Sequence, residues 1–306
     1  MKTLCVELPA TSGGHFRGAR RWLWRGLRIV ALVYIGITIM LYWLQTSLIF
    51  PGAATQGKKV ALVAPPPGAE LVRLTTASGE RIVALFGTAL TPEGRPRSDA
   101  AHRPSMIYFY GNGMCLNDAR YEFEQFRRQG ANVLVPDYVG YGLSSGHPSE
   151  AGCYATADAA YSYLASRPDI DRSKIVASGW SLGGAVAIDL AARRPVAGLA
   201  VFSAFTSMAD MGKLHFPFLP VSLLLQHRFE SESKIARVRC PVLIGHSRGD
   251  TLIPNTMADR LQAAVQGQVK RLTLDSGDHG EYFSAGAGKI FPAVGQFLEL
   301  LLLPPS

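Results

Sequence analysis

Ser181 lies in Gly179-Trp180-Ser181-Leu182-Gly183, between the apolar run Ile175-Val-Ala and a stretch of small residues that closes at Pro195. A serine hydroxyl is a weak nucleophile until a neighbouring base takes its proton, and it must stand clear of its own backbone to reach a substrate. A G-x-S-x-G set between a strand and a helix meets the second need. Its two glycines leave room beside a residue forced into a tight turn, and the hydroxyl is held above the edge of the sheet. Taken alone, the pattern is also an ordinary glycine turn, so its weight depends on partners elsewhere in the chain.

Two such partners follow. Asp250 ends His246-Ser-Arg-Gly-Asp250 and His279 stands in Asp275-Ser-Gly-Asp-His279, each just past an apolar run that reads as a strand. In the order Ser, Asp, His, the imidazole of His279 would take the proton from Ser181 and return it to the leaving group. Asp250 would orient that ring and stabilise its charged form. Asp210 is the alternative acid, because it follows the preceding strand. Asp278 adjoins His279 too closely to reach round its ring, His246 reads as a strand-end residue, and His215 and His227 fall where they could touch a substrate. Gly111-Asn112-Gly113 follows another strand, where small residues let backbone N–H groups face a bound oxygen. Donors at Asn112 and Leu182 would form an oxyanion hole, each worth about 2.7–4 kcal/mol to a transition state.

The elements needed to position these residues are legible as a pattern. Glu70–Thr76 and Arg81–Phe86 flank Ser78-Gly79-Glu80 and read as an antiparallel hairpin. From Ser105 strand and helix alternate, which predicts strands at Met106–Tyr110, Asn132–Pro136, Lys174–Ser178, Leu199–Ser203, Val242–Gly245 and Val269–Leu274. Helices are expected at Asp118–Gln129, Tyr154–Ser166, Leu182–Arg193, Asn255–Gln266 and Ile290–Leu302. The fold class is therefore α/β, a mainly parallel eight-stranded sheet with helices on both faces, and ligands meet the carboxyl ends of its strands. Residues 206–239 form a short cap, whose apolar centre Phe216–Leu225 is expected to line an acyl pocket.

Composition places this domain in context. Of the 306 residues 48% are hydrophobic, enough for a large core. Most of the formal charge of +8 comes from Lys2, Arg17, Arg20, Arg21, Arg25 and Arg28, opposed before residue 29 only by Glu7. No basic run with interleaved aromatics occurs later, which argues against nucleic acid as a partner. Residues 29–50 are apolar over about 22 positions, enough to cross a hydrocarbon core, with aromatics near both ends. A cleaved signal peptide is the competing reading. The expected organisation is a basic cytoplasmic tail at 1–28, a transmembrane anchor at 29–50, a stiff linker at 51–68 and the catalytic domain at 69–306, outside the cytoplasm. Cys5, Cys115, Cys153 and Cys240 show no metal-ligand spacing; Cys115 and Cys153 could pair, or remain buried thiols. Neither a metal nor a cofactor is implied.

With these residues in view, the chain resembles the single-pass, membrane-anchored α/β-hydrolases of the abhydrolase-domain-containing group, whose relatives include protein depalmitoylases. The likeness runs from Leu48-Ile-Phe-Pro51 to His279. It takes in Tyr110-Gly-Asn-Gly113, Asp137-Tyr-Val-Gly-Tyr-Gly-Leu-Ser-Ser-Gly146, His147-Pro-Ser-Glu150, Gly179–Gly184, and Asp250 with Ile253-Pro254. Tyr110 stands where that group usually has His, a support of the loop, and Asp137 resembles a position that braces the sheet edge. The resemblance implies a serine hydrolase acting on an ester, thioester or lipid ester, with a lipid or an acylated protein as partner. A peptidase or amidase, which the same triad could serve, and a non-catalytic hydrolase-like binding protein are the alternatives.

Overall fold

A computed structural model describes residues 14–303. Lys2, Cys5 and Glu7 of the N-terminal tail lie outside the described residues. The chain divides into two compact units, the first ending at Gln45 and the second beginning at Thr46.

The first unit is helical. Helix α1, Gly14–Ile49, runs unbroken through residues 14–28, which the sequence assigns to a separate tail. Its segment Arg20–Ile49 is long and apolar enough to cross a membrane, and a signal sequence would satisfy the same measure. The C-terminal end of that segment is shared with the second unit. Thr46–Ile49 belongs to the second unit, and Ile49 and Phe50 are buried in that unit's core. Apolar side chains suit lipid and protein interior equally, so composition alone does not mark where one gives way to the other.

The second unit is an α/β layer structure, built in chain order from β1 (Ala69–Thr75), β2 (Arg81–Gly87), β3 (Ser105–Phe109), α2 (Arg120–Arg128), β4 (Asn132–Pro136) and α3 (Glu150–Ser166). There follow β5 (Ile175–Trp180), α4 (Leu182–Arg193), β6 (Gly198–Phe202), α5 (Met208–His215), α6 (Val221–Leu224) and α7 (Ser231–Ile235). The chain then forms β7 (Val242–Ser247), α8 (Asn255–Ala264), β8 (Val269–Leu274), α9 (Tyr282–Ala285) and α10 (Ala287–Leu300).

The eight strands form one sheet in the order β1-β2-β4-β3-β5-β6-β7-β8. β1 pairs with β2, and β2 with β4, antiparallel; every other pair is parallel. β3, β4 and β6 are buried along their whole length, as continuous apolar runs covered on both faces should be. The strand order reverses beside β3 and β5, so the connections that follow them leave in opposite directions, the place where ligands meet sheets of this kind.

Residues 51–68 are not a free spacer. Gly52 and Ala61 are buried, and the N–H groups of Gly52 and Gly57 donate to Asn112 and Gly142 across the domain. Pro65, Pro66 and Pro67 stiffen its end, and its Gly52 fits closely against Tyr141 and the Asn112 and Met114 carbonyls. Among the described cysteines, Cys115, Cys153 and Cys240 are free thiols, and burial raises the first and last to about 11.

Candidate active site

At the end of β5 the backbone turns through Ser181 at φ 56° and ψ −119°, a left-handed conformation that costs a non-glycine residue energy. Close packing makes the turn possible. A Cβ on Gly179 would collide with the Gly183 carbonyl, and one on Gly183 with the Phe109 carbonyl, so only glycine lets α4 start this near β3 and β5. The Ser181 N–H is held by the Phe202 carbonyl at 2.9 Å.

Ser181 Oγ lies 2.9 Å from His279 Nε2, and His279 Nδ1 lies 2.8 Å from Asp250 Oδ2, with all three residues buried. The tautomer follows from these neighbours. An ionised carboxylate only accepts, so Nδ1 carries the ring proton and Nε2 is left to accept from the serine hydroxyl. Burial would raise the Asp250 carboxyl. Hydrogen bonds from His246, from His279 and from the Ile253 N–H outweigh it and hold the group well below the usual carboxylate range. A negative charge is thus fixed behind the ring. Such a chain can draw a proton from an attacking hydroxyl and stabilise the imidazolium that results.

The described residues contain no group of three or more His, Cys, Asp or Glu arranged to hold a metal ion. The rival acids are engaged elsewhere. Asp210 accepts from Thr206 Oγ1 at 2.7 Å and pairs with Arg260 at 3.0 Å. Asp278 caps the turn that begins at His279, accepting from that residue's N–H and from Thr251. His215 bonds the Leu252 carbonyl at 3.2 Å. His227 accepts the Glu150 N–H at Nδ1, so its Nε2 donates to Thr46 Oγ1 at 3.1 Å.

Between Pro104 and Leu219 the chain matches the family model described as alpha/beta hydrolase fold. It is 32% identical over 271 residues to an uncharacterized protein of Mycobacterium tuberculosis, covering 88% of this chain and 92% of that one. The chain belongs to the alpha/beta hydrolase fold family. Protein bem46 of Schizosaccharomyces pombe is 31% identical to this chain over 235 residues, with 74% of this chain and 75% of the other covered. Among solved structures, a Pyrococcus furiosus esterase superposes with a TM-score of 0.61 at 17% identity, over 76% of this chain and 90% of its own.

Three features of the candidate site escape a reading of the sequence. Trp180 stacks on the His279 ring at 5.0 Å and 23°, and its indole fills the space that a Cβ on Gly111 would need. His246, read as a strand-end residue, points Nε2 at the Ile253 carbonyl (2.8 Å) and at Asp250 Oδ2 (3.4 Å). Its spacing of four residues from Asp250 is the one sequence signal for that contact. Third, the Asn112 side chain is turned away, donating to the Ile49 carbonyl at 3.2 Å. Leu182, whose N–H is the second donor expected for an oxyanion, opens α4. Tyr110 has taken on a structural bond, its hydroxyl donating to Asp137 Oδ1 at 2.7 Å.

Proposed function

We propose that this protein is a membrane-tethered serine hydrolase that cleaves carboxylic ester, thioester or lipid ester bonds through an acyl-enzyme on Ser181. The reading is carried by the continuous hydrogen-bonded chain from Ser181 Oγ through His279 to Asp250. In this mechanism Ser181 Oγ adds to the substrate carbonyl as its proton passes to His279 Nε2. The backbone N–H groups of Asn112 and Leu182 take the oxyanion, and His279 returns the proton to the departing alcohol or thiol. Water activated by the same imidazole then releases the acid. No step needs a cofactor.

The esterase neighbours support acyl transfer as the reaction class. The tether rests on the apolar segment Arg20–Ile49, and the arginines ahead of Ile29 favour a cytoplasmic N-terminus with the catalytic domain on the far side. An acyl group still attached to a lipid or to a protein, as the depalmitoylase resemblance implies, is the substrate class that suits such a tether.

A fluorophosphonate probe on the detergent-solubilised protein tests the reading. Labelling is expected at Ser181. Ser181→Ala and His279→Ala should each lower turnover of a short p-nitrophenyl ester by about 10⁴-fold or more. Wild-type turnover by Ser181→Ala, with contaminating esterase excluded, would refute it.

A further inference from the structure

The segment between β6 and β7 turns only part of its apolar centre inward: Val221 is buried and Leu225 packs on the core, while other large side chains face out. Phe218 and Leu223 are each 87% exposed, and beside them Phe216 and Leu214 are 47% and 46% exposed. Soluble surfaces seldom gather large apolar side chains in one short stretch without a use for them. Two contacts within the second unit show where this stretch lies. At its C-terminal side, His227 donates to Thr46 Oγ1, and Phe50 packs edge-on against His227 at 5.0 Å and near Phe229 at 6.1 Å. The chain that leaves the apolar helix therefore enters the catalytic unit at this segment. At its other side, His215 holds the Leu252 carbonyl, and the Leu252 N–H donates to Asp250 Oδ1 at 3.1 Å. Leu252 is itself exposed. The apolar surface thus runs from the helix junction to the loop that carries the acid.

We propose that this face is a lipid-contacting surface, with Phe218 and Leu223 seated in the interfacial layer of the bilayer that α1 crosses. The proposal rests on the reading of α1 as a membrane anchor and deepens it by naming the surface that meets the lipid. Tyr42 and Trp43 mark where an interface would fall on the helix. Trp43 precedes Thr46 by three residues in the sequence. Lys213 and Arg228 lie beside the apolar face, exposed and paired with Asp210 at 3.9 Å and Glu230 at 2.9 Å, so its polar border is mixed in charge. An ester or thioester held in the bilayer would then reach Ser181 without first leaving the lipid.

The full chain, reconstituted in phosphatidylcholine–phosphatidylglycerol nanodiscs that contain a phospholipid with a diazirine near the acyl terminus, provides the test. After photolysis, mass-spectrometric mapping should find lipid adducts on residues 29–43 and also on residues 214–225. Phe218→Ser/Leu223→Ser should lower the second set about fivefold or more and leave the first unchanged, with turnover of a soluble short ester retained as a check on folding. Adducts confined to residues 29–43 would overturn the proposal while leaving the anchor intact. Adducts on neither region would instead remove the anchor reading on which it rests. Cross-links joining two copies through residues 214–225, without lipid adducts there, would assign the face to self-association and also overturn it.

Discussion

Asp137 and Asp250 each follow a strand on the same edge of the sheet, β4 and β7, and each is buried, yet their surroundings treat the carboxyl in opposite ways. Asp137 accepts from the Tyr110 hydroxyl and from the Leu116 and Leu143 N–H groups, at 2.7–2.8 Å. Burial still prevails there and raises its pKa above the usual carboxylate value. At Asp250 burial is outweighed by two imidazoles and a backbone N–H, and the pKa falls. The difference lies in the partners. The donors at Asp137, a phenol and two backbone N–H groups, can never become cations, and they fasten β3, β4 and the loop at 137–146 together. At Asp250 one partner, His279, can become a cation, and a fixed anion beside it has catalytic use. A buried carboxylate at a strand end thus braces the fold or sits as an anion beside a histidine according to what it faces.

The largest expected effect breaks this comparison directly. Asp250→Asn should lower kcat on a p-nitrophenyl ester by about 10³–10⁴-fold, far more than any accompanying loss of stability explains, because the ring loses its orienting anion. Asp137→Asn should do the reverse. Its amide would point a donor at another donor and cost about 1–3 kcal/mol of stability, while kcat stays within about tenfold. Equal losses of kcat in the two variants would dissolve the distinction. Acid should separate their stabilities further. The contribution of Asp250, with its lowered pKa, is present above the unfolded value of about 3.9 and is lost as pH falls through the folded one. That of Asp137, with its raised pKa, is present below about 3.9 and is lost as pH rises through the folded value. The penalty of Asp250→Asn should therefore shrink in acid, and that of Asp137→Asn should grow.

Glu122 in α2 sharpens the comparison, because its Oε2 is buried with no hydrogen-bond partner and burial raises the group to about 7. A raised carboxyl stabilises the fold below its ordinary value near 4.5 and loses that contribution as pH climbs through 7. Glu122→Gln should match the wild type below pH 4 and be more stable than it above pH 7, by on the order of 2–3 kcal/mol in urea unfolding. A stability difference that does not vary with pH would mean that Glu122 titrates like an exposed acid.

The smallest effect belongs to Asp210, the acid that follows β6. Its bonds go to Thr206 and to the half-exposed Arg260. Asp210→Asn should leave kcat within about twofold and change stability by less than about 1 kcal/mol. A kcat loss comparable to that of Asp250→Asn would transfer the acid's role to Asp210.

The sequence alone determined the elements whose causes are local. β4, β8 and α4 fall on the expected residues, because an apolar run bounded by turn residues, or a helix of small residues closed by Arg194-Pro195, has few other conformations open to it. Boundaries moved where one side chain or backbone partner intervened. α3 begins at Glu150 because the Ser149 hydroxyl caps it, and β5 continues to Trp180 because Phe202 of β6 pairs with it. The grouping of Ser181, Asp250 and His279 was also legible, since chain order and strand ends place all three at one edge of a parallel sheet. Tertiary structure alone decided what else faces that edge. Trp180 over the imidazole, His246 behind the acid, Asn112 turned toward Ile49 and the outward Phe218 and Leu223 depend on strand order and on packing between distant residues. The same holds for Ile49 and Phe50, which the sequence assigns to a membrane span and the fold buries in its own core. Periodicity records that a side chain is apolar. Whether protein or lipid covers it depends on which distant segments the fold brings alongside.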